Sequence, residues 1–385
     1  MAPSTRPPIR QAIDLLLVIT VAVLAVAWWR ASSNSGQVVQ QGVGVGDGSA
    51  APFDWSTVSS RDLNVAAVFL TARDRGVGAA MDSLQAIAQN DSTYWTEGHM
   101  IAHALGRYAI AANHHDPAVL SECRPTFQAG CYHGVLEGYM AAQPHIDPPK
   151  AAALCAGLLT PGKSRFAASE CAHGLGHGFA EGLSYDLMQS LHGCDAFAET
   201  DLRGECHDGV FMENEAHGLG MPTMNVGDSA VSMHSHMMAH AAPTAEKFRA
   251  NDLAFPCDSV AAQYQPSCWA YQPLVIAHLT NGDLAKTLDA CKLAPEASRS
   301  RCYRGYGKQS MAWRGWNFPR VIEGCSKAGA AESDCLAGGV EALIDLTQSM
   351  DRATVFCRQA SSRLQKTCLD EVRTAGPRVP VPGLR

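Results

Sequence analysis

CAHGLGHGF, residues 171–179, decides the fold, because the chain contains copies of it. Related segments open at six other cysteines: CYHGVLEGY at Cys131, CHDGVFMEN at Cys206, CWAYQPLVI at Cys268, CYRGYGKQS at Cys302, CLAGGVEAL at Cys335 and CLDEVRTAG at Cys368. Successive cysteines of this set stand 40, 35, 62, 34, 33 and 33 residues apart. The gap of 62 is nearly double the others, and HSHMMAHAA, beginning at His234, fits inside it as a unit that lacks the cysteine. EGHMIAHAL, from Glu97, lies 34 residues before Cys131 and reads as another. Nine units result, seven of them with the cysteine.

Each cysteine-bearing unit has a second cysteine upstream, at Cys123, Cys155, Cys194, Cys257, Cys291, Cys325 and Cys357. Turn residues lie between the two, as in TPGKS after Cys155 and APEASRS after Cys291. Helix-like stretches such as PKAAALCAGL and GDLAKTLDACKL precede the early cysteines, opened by Asp-Pro or Asn-Gly-Asp start signals. The unit therefore reads as helix, turn, helix, with a disulfide inferred from proximity joining the two helices near the turn. A period of 33 to 35 residues belongs to helical-hairpin solenoids. The expected fold is all-α: a right-handed helical-hairpin solenoid or partly closed helical toroid, with about nine disulfide-stapled units of 33–40 residues. In period and staple the chain resembles exported Sel1-like members of the tetratricopeptide superfamily. The resemblance covers residues 76–373 in architecture, with AHALGRYA and GLGHGFAEG as partial echoes of the Sel1 consensus. It implies a curved stack whose concave face binds a peptide or protein partner, and it implies no catalytic residues.

The composition agrees. Fourteen cysteines without a C-x2-C pair point to disulfides rather than zinc ribbons, and hence to an oxidising compartment. Arg6 and Arg10 precede an apolar run from Leu15 to Trp29, so residues 1–30 read as a signal-anchor with the N-terminus cytoplasmic. The run is short for a membrane span, and Ala25–Ala27 would suit a signal peptidase, which would make the protein secreted. In either case the main domain is extracytoplasmic, periplasmic or at the cell surface. Residues 31–52 form a flexible linker, 53–250 the histidine-rich N-terminal repeats, 251–374 the C-terminal stapled repeats and 375–385 a tail. A net charge of -7 without a basic stripe excludes nucleic acid as the expected partner.

Chemistry enters when the opening residue of every unit is taken as position 0. Positions +2 and +6 share one face of the second helix. They are His99 and His103, His133 and Glu137, His173 and His177, Asp208 and Met212, then His236 and His240. Later units place Ala270 and Leu274, Arg304 and Lys308, Ala337 and Glu341, and Asp370 and Thr374 there. Two imidazoles four residues apart on a helix can grip one metal ion, and a repeat projects equivalent positions into one space. The candidate ligands are therefore His99, His103, His133, Glu137, His173, His177, Asp208, His236 and His240, enough for two or more ions. The imidazole-rich inventory favours iron or copper, with zinc possible. Glycines at +3 (Gly134, Gly174, Gly209) offer another explanation of this face: close packing, with the histidines bonding to neighbouring carbonyls. Glu213 and His217 form a further i, i+4 pair one residue out of phase, whereas His114 and His115 read as an exposed loop. No P-loop, haem motif or nucleophile elbow is present. Three functions remain: a metal-dependent oxidoreductase, a metal storage or delivery protein, and a protein-binding scaffold. The first is the leading expectation.

Overall fold

In a computed structural model that describes residues 60–91, 93–143, 145–159, 165–220 and 247–375, the fold is all-α, and the described residues contain no strand. The anchor and linker expected at 1–52 lie outside the described residues, as do the segment holding His236 and His240 and all of the tail expected at 375–385 except Ala375, which ends a helix. Among the described residues no helix is long and apolar enough to cross a membrane.

The helices are α1 (Ser60–Arg75), α2 (Val77–Asn90), α3 (Thr93–Ala112), α4 (Gly130–Ala141), α5 (Pro148–Ala156), α6 (Phe166–Gly182), α7 (Leu187–Cys194), α8 (Thr200–Gly218), α9 (Gln265–Leu279), α10 (Leu284–Ala290), α11 (Glu296–Trp313), α12 (Phe318–Ser326), α13 (Glu332–Thr347), α14 (Met350–Arg358) and α15 (Ser362–Ala375). Long second helices alternate with short first ones. The short helices begin at side-chain caps: Asp147 accepts from the Lys150 amide, Asp186 from Gln189, Asp283 from Lys286, Asn317 from Arg320 and Ser349 from Arg352. Left-handed residues before several of these caps reverse the chain between units, as at Ser184–Tyr185 and Asn281–Gly282.

All seven inferred disulfides are present: Cys123–Cys131, Cys155–Cys171, Cys194–Cys206, Cys257–Cys268, Cys291–Cys302, Cys325–Cys335 and Cys357–Cys368. They lie in one apolar layer that runs from Val65 to Val372 and includes Phe127, Phe179, Trp269 and Phe356. Removing each such large side chain from water contributes about 1.5–3 kcal/mol.

The second helices pack edge to edge in the order α3, α4, α6, α8, α9, α11, α13. Glycine at +3 makes the approach possible. A Cβ on Gly134 would stand 1.9 Å from the carbonyl oxygen of His103, and one on Gly338 1.9 Å from that of Arg304. Gly209 and Gly305 repeat the contact on His173 and Ala270. The close-packing explanation of +3 therefore holds, and it coexists with the clustering of the imidazoles beside it.

The unit expected at His234–Ala242 lies outside the described residues; α8 and α9, on either side of it in sequence, are in contact, the Ser267 hydroxyl lying 3.4 Å from the Gly204 carbonyl oxygen. One expectation needs correction: the first helix of the Cys257 unit is missing. Residues 247–264 form turns, because Pro256 immediately precedes Cys257 at a place that is helical in other units.

The row of second helices closes on itself. The Phe127 amide donates to the Leu346 carbonyl at 3.1 Å and the Gln128 amide to Asp345 at 2.8 Å, joining the entrance of α4 to the end of α13. Phe127, Gln128 and Ala129 hold φ of 57, 52 and 56°, a left-handed run of non-glycine residues. Such residues cost about 1–3 kcal/mol each. The Cys123–Cys131 disulfide spans this segment, and Phe127 is buried against Trp95.

Candidate metal centre

Closure turns the +2 and +6 face inward, onto a cavity of about 680 Å³. His99, His133 and His173 line one wall of it, and Asp208, Arg301, Lys308, Glu341 and Asp345 contribute to the rest. His103 and His177 lie behind the first wall and are buried.

Helix α3 supplies His99 and His103, helix α4 His133 and Glu137, and helix α6 His173 and His177. The outer nitrogen of each of the first three imidazoles has an acceptor. His99 Nδ1 lies 2.8 Å from the Phe127 carbonyl oxygen, His103 Nδ1 2.9 Å from Glu137 Oε1, and His133 Nε2 3.3 Å from Glu170 Oε2. Those acceptors fix the tautomers, so each remaining nitrogen carries a lone pair. The three bare nitrogens point at one another: His103 Nε2 is 3.1 Å from His99 Nε2 and 3.3 Å from His133 Nδ1. Three converging lone pairs repel unless a cation sits among them. Two nitrogens each 2.0–2.1 Å from a tetrahedral ion stand about 3.3 Å apart, so the spacing fits a metal ion.

Burial, reinforced by neighbouring imidazoles, holds His99, His133 and His173 well below the ordinary histidine value, which keeps them neutral as ligands must be. Burial also acts on Glu137, in the opposite direction, yet His103 and Arg107 hold its carboxyl well below the usual range. Arg107 donates through Nε to Glu137 and through Nη2 to Glu181, each at 2.8 Å. His177 Nδ1 lies 2.9 Å from Glu213 Oε2 and 3.6 Å from Glu137 Oε1. Burial disfavours its charge, but these carboxylates hold it above the ordinary value.

Among the described residues three groups could hold a metal ion: His99, His103 and His133; His133, His173 and His177; and Glu137, His177 and Glu213. Six of the nine expected ligands thus come together. Asp208 does not join them; it pairs with Arg301 across the sequence. Glu213, out of phase in the repeat, reaches the cluster through His177, whereas His217 stacks on Tyr185. His114 and His115 are exposed in a turn, as expected. Sequence reasoning missed Glu170, Arg107 and Glu181. They stand at -1 and +10, one helical turn beyond +2 and +6 on the same face, where extending the register would have found them.

The chain matches no known family model, no curated protein and no solved structure.

Proposed function

We propose that this protein is a copper-dependent oxidoreductase that works outside the cytoplasm on a small molecule. The observation that carries the reading is the convergence of His99 Nε2, His103 Nε2 and His133 Nδ1, each backed by an acceptor on its far side. An all-imidazole donor set suits copper or zinc better than iron, whose oxygen-activating sites combine two histidines with a carboxylate. The nearest carboxylate, Glu137, is turned to the far side of His103 and to Arg107. When bound, the ion supplies the redox chemistry. Glu137, Glu170 and the Phe127 carbonyl orient the imidazoles. The disulfides support an oxidising compartment, and in this reading the apolar run within residues 1–30 is the tether.

A cavity of about 680 Å³ suits a small ligand. That supports turnover of a small molecule over the docking of a folded protein. Zinc is the second reading, because three histidines with an open fourth position also make a catalytic zinc site. Elemental analysis and electron paramagnetic resonance, on full-length protein exported to an oxidising compartment and never exposed to chelator, test the proposal. Copper at one or more ions per chain, with at least one ion fewer in the H99A/H103A variant, is expected. Zinc alone would replace the oxidoreductase with a hydrolytic reading. A chain that neither carries nor takes up a transition metal would leave only the scaffold.

A further inference from the structure

The trihistidine site leaves two buried imidazoles without an assigned role. His173 is 8 % exposed and His177 2 %, and the Nε2 atom of each has no hydrogen-bond partner. An imidazole nitrogen buried without a partner is costly, and two side by side call for a shared occupant. His177 resembles the first three in that its Nδ1 is held, here by Glu213, and once its Nε2 proton is displaced that atom is the lone-pair end. The rings of His173 and His177 lie 4.7 and 5.1 Å from that of His133, tilted from it by 23 and 20°. The ligand atoms of the three fall within 4.8 Å of one another.

We infer that the five imidazoles hold two transition-metal ions, the second on His173 and His177, with His133 standing between the two. This rests on the trihistidine reading above and extends it from a mononuclear to a dinuclear centre. Charge supports it. Glu137, Glu170 and Glu213 all touch the imidazoles, and the guanidinium beside them, Arg107, is shared between Glu137 and Glu181. Buried and half-buried carboxylates gathered around imidazoles favour added cations, and a second divalent ion neutralises more of that charge than the first alone. The carboxylates reach their imidazoles from three directions: Glu137 from α4, Glu170 from α6 and Glu213 from α8. Two ions on neighbouring imidazoles in the wall of this cavity make an electron-pair centre. The substrate class it fits is a small molecule that gives up or accepts two electrons in one encounter.

The test is titration of metal-free full-length protein with Cu²⁺ alone, read by elemental analysis after desalting and by electron paramagnetic resonance. Two ions per chain are expected, with the resonance of the doubly loaded protein weakened or broadened by coupling between neighbouring ions. H173A/H177A is expected to bind one ion and to show the sharp signal of an isolated copper; H99A/H103A is also expected to bind one. The glutamine pairs H173Q/H177Q and H99Q/H103Q serve if the alanine forms do not fold, which circular dichroism reports. One ion in the native chain, retained in H173A/H177A, overturns the second site and leaves the trihistidine reading standing. One ion lost from both variants means a single shared site and also overturns it. No ion in the native chain overturns both.

Discussion

Gly134→Ala separates the role of the helix contact from that of the metal centre. Its Cβ would sit 1.9 Å from the His103 carbonyl oxygen, and real Cβ contacts essentially never fall below 3.0 Å. The obstacle is backbone, so α3 and α4 must part by about 1 Å. Overpacking of that kind costs about 3 kcal/mol, near the top of the usual range. For a domain of this size it lowers Tm by about 5 °C. Gly338→Ala provides the control, since its Cβ meets the Arg304 carbonyl oxygen at the same 1.9 Å, between helices that carry no histidine ligand. Both variants should lose similar stability in a thermal melt followed by circular dichroism. Only Gly134→Ala moves His133 relative to His99 and His103. Metal sites tolerate ligand displacements of about 0.2 Å, so a 1 Å shift should weaken Cu²⁺ binding by about a hundredfold or more. Calorimetric titration reads this directly. Equal copper affinity in the two variants would refute the claim that the α3–α4 contact sets the ligand spacing.

Arg107→Met leaves Glu137 and Glu181 buried without their shared cation, and Arg107 is itself only 13 % exposed. A loss of about 3–5 kcal/mol in urea unfolding is expected, with partial recovery on adding Glu137→Gln, and no loss would mean that the pair is not buried in solution. The apoprotein should lose stability as pH falls below about 6.5. His99, His133 and His173 are depressed in the folded state, so the unfolded chain takes up protons there first. Each such group costs up to about 1.4 kcal/mol per pH unit below 6.5. His177, raised in the folded state, contributes fully below 6.5 and loses its contribution as pH rises through its folded value. Three against one, Tm should drop between pH 7.5 and 5.5; a flat or rising profile would contradict the burial of neutral imidazoles. C123A/C131A opens a staple of sequence separation 8, worth about 2.5 kcal/mol by loop entropy. It also frees the strained segment whose Phe127 carbonyl orients His99. Weaker copper binding should accompany its lower Tm, while C357A/C368A should lower Tm alone.

The hairpins, the cysteine pairs and the inward-facing histidines are legible in the sequence for one reason. A repeat makes each unit a reading of its neighbours, so +2 and +6 acquire a meaning that a single HxxxH lacks. What that register cannot carry is anything made once. Closure depends on the left-handed residues Phe127 to Ala129, and their sequence, FQA, holds no glycine or asparagine to announce positive φ. The pairing of Asp208 with Arg301 spans 93 residues and several units, beyond any local pattern. The same limit explains Glu213, whose partner lies on the preceding second helix rather than in its own unit.

Closure also changes what the second half of the repeat means. Along the sequence, the change from imidazoles at +2 and +6 to Arg304, Lys308 and Glu341 reads as loss of the site, and the basic residues as a solvated face. In the closed array those units face the cavity. Arg304 pairs with Glu341 and Glu371, and Lys308 lies 3.2 Å from Asp345. Lys308 lines the same space as His99 and His173, and its charge disfavours their protonation. The early units thus form a wall of neutral nitrogen donors, and the late ones a wall of compensated ion pairs. A polar small molecule between them would meet hydrogen-bonding charge on one side and the ligand cluster on the other. In the proposed enzyme, the asymmetry of the repeat would orient that molecule once the row of helices is closed.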